Sequence, residues 1–494
     1  MDNREILTRF KSGALDRQQV LALLTGNGQA PAAPAPSQAP VPAEPPPPPL
    51  ADGFAVVAVD CAFPGAAAGT AGFWEAALGA APAGTGDTGA DAFDPALLRI
   101  GREQADALHP EERLLLHRVH QALEGAGYAG ARLDALTGPD GEHRAVGVFT
   151  ATARPHTSAL LSRVLDLRGP SRDTDTGSSS FLTAVHQALG ALRAGECAAA
   201  LVAGGNEREG VAALLLRPAA AARAAGDRVH AVLTASAAGH PGRGTSAALR
   251  ARLRQRVPAT APGLDEEGTG AAALVRAVLQ LRHGVLLPGP GRERPGPWPE
   301  GPRTALAGVY EDDAPYAAVA LREPPPAPPE PAEEDGPHLV LLSAPTPRHL
   351  AATAVRLADW LTSFEQAPGP GAVARELRIG RAVHACRLAA VVHDTAELAG
   401  ALAAFTRGDA ASGPRPVRHA DLREAGEPLL ADGLPETRDY VAALWRGRRF
   451  EQLTRLWLAG ADVPAGDRTG PPAPVLELPT SAPLPDTREA RRAG

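Results

Sequence analysis

The chain has 494 residues, enough for roughly two to four compact units at about 100–200 residues each. Lys+Arg 49 against Asp+Glu 56 leaves a net charge of −7, which speaks against nucleic acid or an anionic membrane as the main partner. Gly 52 and Pro 50 are unevenly spread and follow no period, which excludes a collagen-like or wholly disordered chain and puts the excess in linkers. Cys61, Cys197 and Cys386 stand far apart without a Cys-x-x-Cys or Cys/His cluster, so neither a disulfide framework nor a structural zinc site is expected. The start lacks an apolar signal core, and no run approaches about 18 apolar residues. A cytoplasmic protein with no membrane span is expected.

In chain order, residues 1–25 place apolar side chains at helical spacing around Ser12-Gly13 and read as two short helices, a docking element. Residues 26–52 are Pro/Ala-rich and form an extended linker. From Phe54, strand and helix patterns alternate: FAVVAV, then PEERLLLHRVHQALEGAG, AVGVFTA and SSSFLTAVHQALGALRAG. This α/β unit spans 53–323 and ends at a second Pro-rich linker, 324–336. HLVLLSA opens a smaller α/β domain over 337–430. The remainder, 431–494, holds the helical YVAALWRGRRFEQLTRLWLAG and then extended chain, which reads as a strap lying back over the earlier domains.

Several segments in this order resemble the ketosynthase region of modular polyketide synthases, which have the thiolase fold. FAVVAVDCAFPGA resembles the family's opening strand and Cys-x-Phe-Pro-Gly turn. REQADALHPEERLLLHRVHQALEGAG resembles its Asp-Pro-x-x-Arg helix, with His109 in place of Asp. LDLRGPSRDTDTGSSSFLTAVHQALGALRAGECAAALVAGG resembles the segment in which Asp-Thr-Ala-Cys-Ser-Ser delivers the catalytic cysteine to a helix start. HLVLLSA and GRAVHACRLA are similar to the small linker domain after such ketosynthases, and LELPTSAP to its strap, with Ser481, Ala482 and Pro483 in place of Tyr-Pro-Phe. The resemblance implies a truncated thiolase-like fold of αβαβα layers, a small α/β linker domain and N-terminal helices.

It also implies where catalytic groups belong. Helix N-terminal amides stabilise a thiolate, which is why the family holds its cysteine at that point. Here Asp175-Thr176-Gly177-Ser178-Ser179 puts Ser178 at the cysteine position, and a hydroxyl needs an adjacent base to become a nucleophile. The family's Glu-Ala-His-Gly-Thr-Gly loop has no counterpart after AGDRVHAVLTASAAGH. Its Asn-x-Gly-His-Leu-Glu turn aligns with Gly263-Leu264-Asp265-Glu266, placing Leu264 at the histidine position, and Gly268-Thr269-Gly270 reads as the helix start. Tyr310-Glu311-Asp312-Asp313 replaces the glycine loop that donates an oxyanion amide. The loop between Gly205 and Glu209 is cut short.

Each feature has an ordinary structural reading as well. Ser178-Ser179-Ser180 is also common N-cap chemistry. His240 and His230 are the candidate stand-in bases, though a histidine beside an apolar strand is usually structural; His186, eight residues along the helix, points elsewhere. His117 and His120 lack a third metal ligand and read as a helix surface, and the arginines of WRGRRF read as a solvated face. The expectation is a catalytically degenerate, stand-alone ketosynthase-like protein of a bacterial polyketide system, with no bound cofactor. It would bind an acyl carrier protein, meeting its phosphopantetheine arm, or another synthase subunit, as a homodimer or a heterodimer with a ketosynthase. The alternative is a Ser178-dependent noncondensing acyl-carrier enzyme, a transacylase, decarboxylase or hydrolase.

Overall fold

The computed structural model describes Ser12 and residues 53–79, 93–206, 208–240, 263–289, 292–310, 314–327, 336–409, 417–424, 434–463 and 473–484. The expected N-terminal docking helices and the first Pro-rich linker lie outside the described residues, as do Glu311, Asp312 and Asp313.

Strand β1 (Phe54–Ala62) is followed by helices α1 (Thr70–Ala77), α2 (Arg102–Asp106), α3 (Pro110–Gly125) and α4 (Ala131–Asp134). Then come β2 (Val146–Ala151), α5 (Thr157–Leu165), β3 (Ser171–Thr174), a 3₁₀ turn (Gly177–Ser179) and α6 (Ser180–Ala194). Strands β4 (Ala199–Asn206) and β5 (Gly210–Pro218), helix α7 (Ala219–Ala224) and β6 (Ala231–Gly239) complete the first half. The second half contains β7 (Gly263–Glu267), α8 (Gly270–His283), a two-residue pair β8 (Val285–Leu286) and β9 (Gly296–Pro297), then β10 (Thr304–Val309) and β11 (Tyr316–Arg322).

Nine strands form one mixed sheet in the order β3-β2-β4-β5-β1-β6-β11-β10-β7. Period-two alternation divides their side chains between two cores. Phe54, Val56, Phe149, Val202, Leu214 and Val319 join α6 and α8 in one, whereas Ala55, Val57, Val148, Leu201 and Leu215 meet α3 and α5 in the other. Helix α6 packs on β2 and β4 and also on β6 and β11, so it and α8 form a central layer enclosed by the two halves of the sheet. Near-continuous apolar strands are what burial on both faces requires.

The start of α3 shows how local sequence sets an element. Pro110 occupies the first turn, Glu112 Oε2 accepts from the His109 amide at 2.8 Å, and His109 Nδ1 accepts from the Glu111 amide at 3.3 Å. His109 thus performs the capping-box role in the place of an aspartate.

The small domain is a sheet of β12 (His338–Ala344), β13 (Cys386–Val392) and β14 (Arg418–Asp421) in that order. Helices α9 (Pro347–Thr362), α10 (Pro370–Gly380) and α11 (Thr395–Thr406) cover one face. The other carries α12 (Pro435–Arg446) and α13 (Phe450–Leu458) around Trp457. The helical segment YVAALWRGRRFEQLTRLWLAG forms two helices: Gly447 caps α12 and Arg448 takes φ 49°, turning the chain. Residues 473–484 then run extended as a strap. The Val475 amide donates to Gly226 O, Leu478 enters the small domain's core, and the Leu484 amide donates to Asp94 Oδ2 at 2.7 Å.

Candidate functional site

Parallel strand β3 ends at Thr174, and the chain turns through Gly177 at φ 67° into α6. The turn is stitched by its own hydroxyls. Ser179, fully buried, donates to Thr176 O at 3.1 Å and lies 3.0 Å from Thr176 Oγ1. Ser180 Oγ donates to Gly177 O and accepts from the Thr176 amide, both at 2.7 Å. This corrects the N-cap reading of the serine run: no serine side chain caps α6. The 3₁₀ turn's carbonyls already engage the first amides, since Ser180 N also donates to Gly177 O, so the hydroxyls bond backward.

Ser178 is exposed, and among the described residues its hydroxyl has no hydrogen-bond partner. Strand β10 runs beside the turn. The start of α8 packs against it too, because a Cβ added to Gly270 would stand 3.4 Å from Ser178 O and 3.2 Å from the Leu182 side chain. Thr269 is the N-cap residue of α8, as the glycine-threonine-glycine reading required. Leu264 lies on β7 opposite Ala305 of β10. The fold therefore brings the start of α8 to Ser178, while Leu264, where the resemblance calls for histidine, lies within β7. The shortened loop is a tight β4–β5 hairpin, with Asn206 Oδ1 accepting from the Arg208 and Glu209 amides at 2.9 Å each.

The candidate bases are engaged elsewhere. Arg282 bonds His230 Nδ1 at 3.0 Å while Glu477 of the strap lies 3.6 Å from Nε2. Burial, more than the neighbouring charges, pushes this imidazole down to about 3. His240 sits exposed at the end of β6 and makes no described bond to Ser178. His186 Nδ1 lies 2.8 Å from Ser236 Oγ. Arg446, Arg448 and Arg449 are exposed, as a solvated face requires.

His117 and His120 are a second correction. His117 is 4% exposed and held down at about 3 by burial and then by Arg118. His120, half-buried, is lowered by desolvation and lies 3.9 Å from Glu124. The strap and small domain cover this face of α3. Among the described residues no His/Cys/Asp/Glu group could hold a metal ion, no helix is long and apolar enough to cross a membrane, and all three cysteines are free and buried.

Three polar groups that sequence reading missed lie along this seam. Glu124 faces Arg381 at 2.6 Å and accepts from the Ser481 amide at 3.0 Å and hydroxyl at 2.5 Å. Burial opposes its charge, but Arg381, His120 and the Ser481 bonds outweigh it and hold the carboxyl at about 2. Arg132 grips Glu376 with two bonds of 2.7 and 3.0 Å. Asp94 bridges His349 at 2.6 Å. Only Ser481 carried a sequence signal, as the substituted end of the strap motif.

A family model described as the β-ketoacyl synthase N-terminal domain matches residues 78–249, and one described as the RhiE-like KS-MAT linker domain matches residues 341–409. Residues 78–249 thus match a β-ketoacyl synthase N-terminal domain and residues 341–409 a ketosynthase linker domain, in that order. Polyketide synthase PksM of Bacillus subtilis is 30% identical over a stretch covering 31% of this chain and 5% of that protein. Polyketide synthase ThaG of Burkholderia thailandensis is 34% identical over 32% of this chain and 4% of that protein. The chain thus spans about a twentieth of these curated relatives. Among solved structures, the ketosynthase from module 1 of the bacillaene synthase of Bacillus amyloliquefaciens aligns with TM-score 0.74 at 18% identity, covering 88% of this chain and 99% of that one. An oxazolomycin ketosynthase domain from Streptomyces albus aligns at 0.69 and 23%, covering 88% and 98%. The ketosynthase domain has the expected mixed α/β, thiolase-like fold.

Proposed function

We propose that this ketosynthase-like chain is a noncondensing component of a bacterial polyketide synthase, acting in the cytoplasm as a binding partner for a carrier protein or an active ketosynthase. The observation that carries this reading is Ser178: the strand-to-helix delivery is intact, but a serine hydroxyl stands there without a hydrogen-bonded base among the described residues. Serine is far less acidic than cysteine, and helix amides alone do not ionise it. Leucine at position 264 can neither donate nor accept a proton. The phosphopantetheine arm of a carrier would approach this turn without transferring its acyl group. Strand β3, an edge strand whose Ser171, Arg172 and Asp173 are exposed, supports pairing with a second ketosynthase, in a homodimer or a mixed dimer.

The test is sedimentation velocity of the full chain alone, with an acyl-loaded carrier protein, and with an active ketosynthase of the same system. The reading expects a stable complex with one of the two partners and an unchanged acyl load on the carrier. Failure to bind either overturns it. Carrier turnover abolished by Ser178→Ala would establish the noncondensing enzyme instead.

A further inference from the structure

An open cleft of about 500 Å³ lies between the larger domain and the small domain. Ala96 and Arg99, in the turn before α2, form one wall, and Pro345, Val383, His384 and Leu422 of the small domain face them. Arg99 is exposed and holds φ 55°, a left-handed backbone that few residues other than glycine adopt. From there its Nη2 donates across the cleft to Val383 O, its one bond among the described residues. The rest of the guanidinium is open to solvent and meets no carboxylate. His384 is anchored only by its backbone, whose amide donates to Ser343 Oγ at 3.0 Å. Its ring lines the cleft, and the ring nitrogens, which are not closed off from solvent, bond to nothing among the described residues.

The charge around these two groups is of one sign. Among the described residues no carboxylate lines the cleft. Glu124, which bears on the His384 ring from farther off, is committed to Arg381 at 2.6 Å, and Asp421, beside Leu422, to Arg423 at 2.6 Å. Arg387 adds a second guanidinium to the lining, although its own hydrogens hold α13 in place, Nη1 donating to Trp457 O and Ala461 O at 2.8 Å each. Burial and then the Arg99 charge push the His384 imidazole down to about 4, so at neutral pH the ring is an uncharged donor and acceptor beside a cation. Fixed positive charge next to a ring that takes up a proton when an anion arrives suits a doubly charged oxyanion better than a singly charged one. Ala96, Pro345 and Leu422 give the same cleft an apolar side.

We propose that this cleft binds a small organic phosphate monoester, with its phosphate oxygens on the open Arg99 guanidinium and the His384 ring and its carbon portion along Ala96, Pro345 and Leu422. Charge-assisted bonds from a guanidinium to phosphate are among the strong ones, and a concave site with few convergent polar groups on apolar walls is the usual form of a ligand pocket. The cleft shares no residue with the Ser178 turn, so it stands or falls independently of the proposed function.

Isothermal titration of the full chain with butyl phosphate, inorganic phosphate, butyrate and butanol, at a slightly alkaline pH that keeps the ester doubly charged, tests it. Butyl phosphate should bind saturably, one to one, at least tenfold tighter than butyrate, and butanol should not saturate. Arg99→Gly removes the guanidinium while relieving the left-handed backbone, so it should keep the urea midpoint of the unaltered chain and weaken butyl phosphate at least tenfold. His384→Gln should weaken it at least threefold. The His384 ring signals in long-range proton–nitrogen spectra, identified by their absence in His384→Gln, should move as butyl phosphate is added, and Ser178→Ala should bind as the unaltered chain does. No saturable binding, undiminished binding by Arg99→Gly, or His384 signals that stay still overturns the site. Butyrate binding as tightly as butyl phosphate overturns the doubly charged ligand, and inorganic phosphate binding as tightly overturns the role of the apolar side.

Discussion

Ser178 and Ser481 each stand where the resembled family carries a different side chain, a cysteine and a tyrosine, and their surroundings are opposite. Ser481 gives both its amide and its hydroxyl to Glu124, whose charge Arg381 balances. Ser178 is exposed and bonds to no side chain among the described residues. The substitution in the strap has been absorbed into a satisfied polar knot joining three segments far apart in sequence. The substitution at the helix start has not been joined by a base. Buried polar contacts gather where the larger domain meets the small domain and strap, whereas the described residues around Ser178 give its hydroxyl no partner.

The largest effect should come from breaking the knot. Glu124→Ala leaves Arg381 and Ser481 without their acceptor, and loss of one partner of a buried pair costs about 3–5 kcal/mol; urea unfolding followed by circular dichroism should show it, and a loss under about 1 kcal/mol would deny the seam its importance. Tyr128 is bonded to Asp227 and Arg217, so Tyr128→Phe should cost about 1–3 kcal/mol in the same assay.

Acid separates two groups on α3 and β1 by sign. Glu124 has a folded value of about 2 against an ordinary 4.5, so its contribution is present above 4.5 and disappears as pH falls toward 2. Asp60 runs the other way: burial, despite Arg118, raises it from 3.8 to about 6, so the folded state holds the proton more tightly and stability declines as pH rises from 3.8 to 6. Urea midpoints across this range should lose the acid-side slope in Glu124→Gln and the opposing slope in Asp60→Asn; unchanged profiles would contradict both assignments.

The smallest effect is the sharpest contrast. Ser179→Ala removes a buried hydroxyl bonded to Thr176 and should cost about 1 kcal/mol, whereas Ser178→Ala should stay within about 0.5 kcal/mol of the unaltered chain. Equal costs would mean that Ser178 has a structural partner.

Much of this architecture is legible in the residues. FAVVAV and AVGVFTA are apolar runs because both faces of β1 and β2 are buried, and HPEERLLL announces α3 through a proline and an N3 glutamate. The place of Ser178 at a strand-to-helix turn follows from the order of DTDTGSSS between two such patterns. The seam is not legible in the same way. Asp94 and His349 are 255 positions apart, and neither periodicity nor local spacing encodes a contact of that range. His117 and His120 look solvent-facing because a helical pattern records only that a face is polar; the strap that meets α3 at Gln121 arrives from 359 positions later. The serine run misleads for a local reason, since the 3₁₀ turn engages the α6 amides that a cap would have met.

The central claim, that Ser178 is not a nucleophile, is tested most directly by intact-protein mass spectrometry of the full chain and Ser178→Ala after incubation with acyl- and malonyl-loaded carrier proteins, following the carrier's mass as well. The account predicts no adduct on either protein and no loss of acyl load from the carrier. An adduct, or carrier deacylation, that is present with the unaltered chain and absent with Ser178→Ala would contradict it.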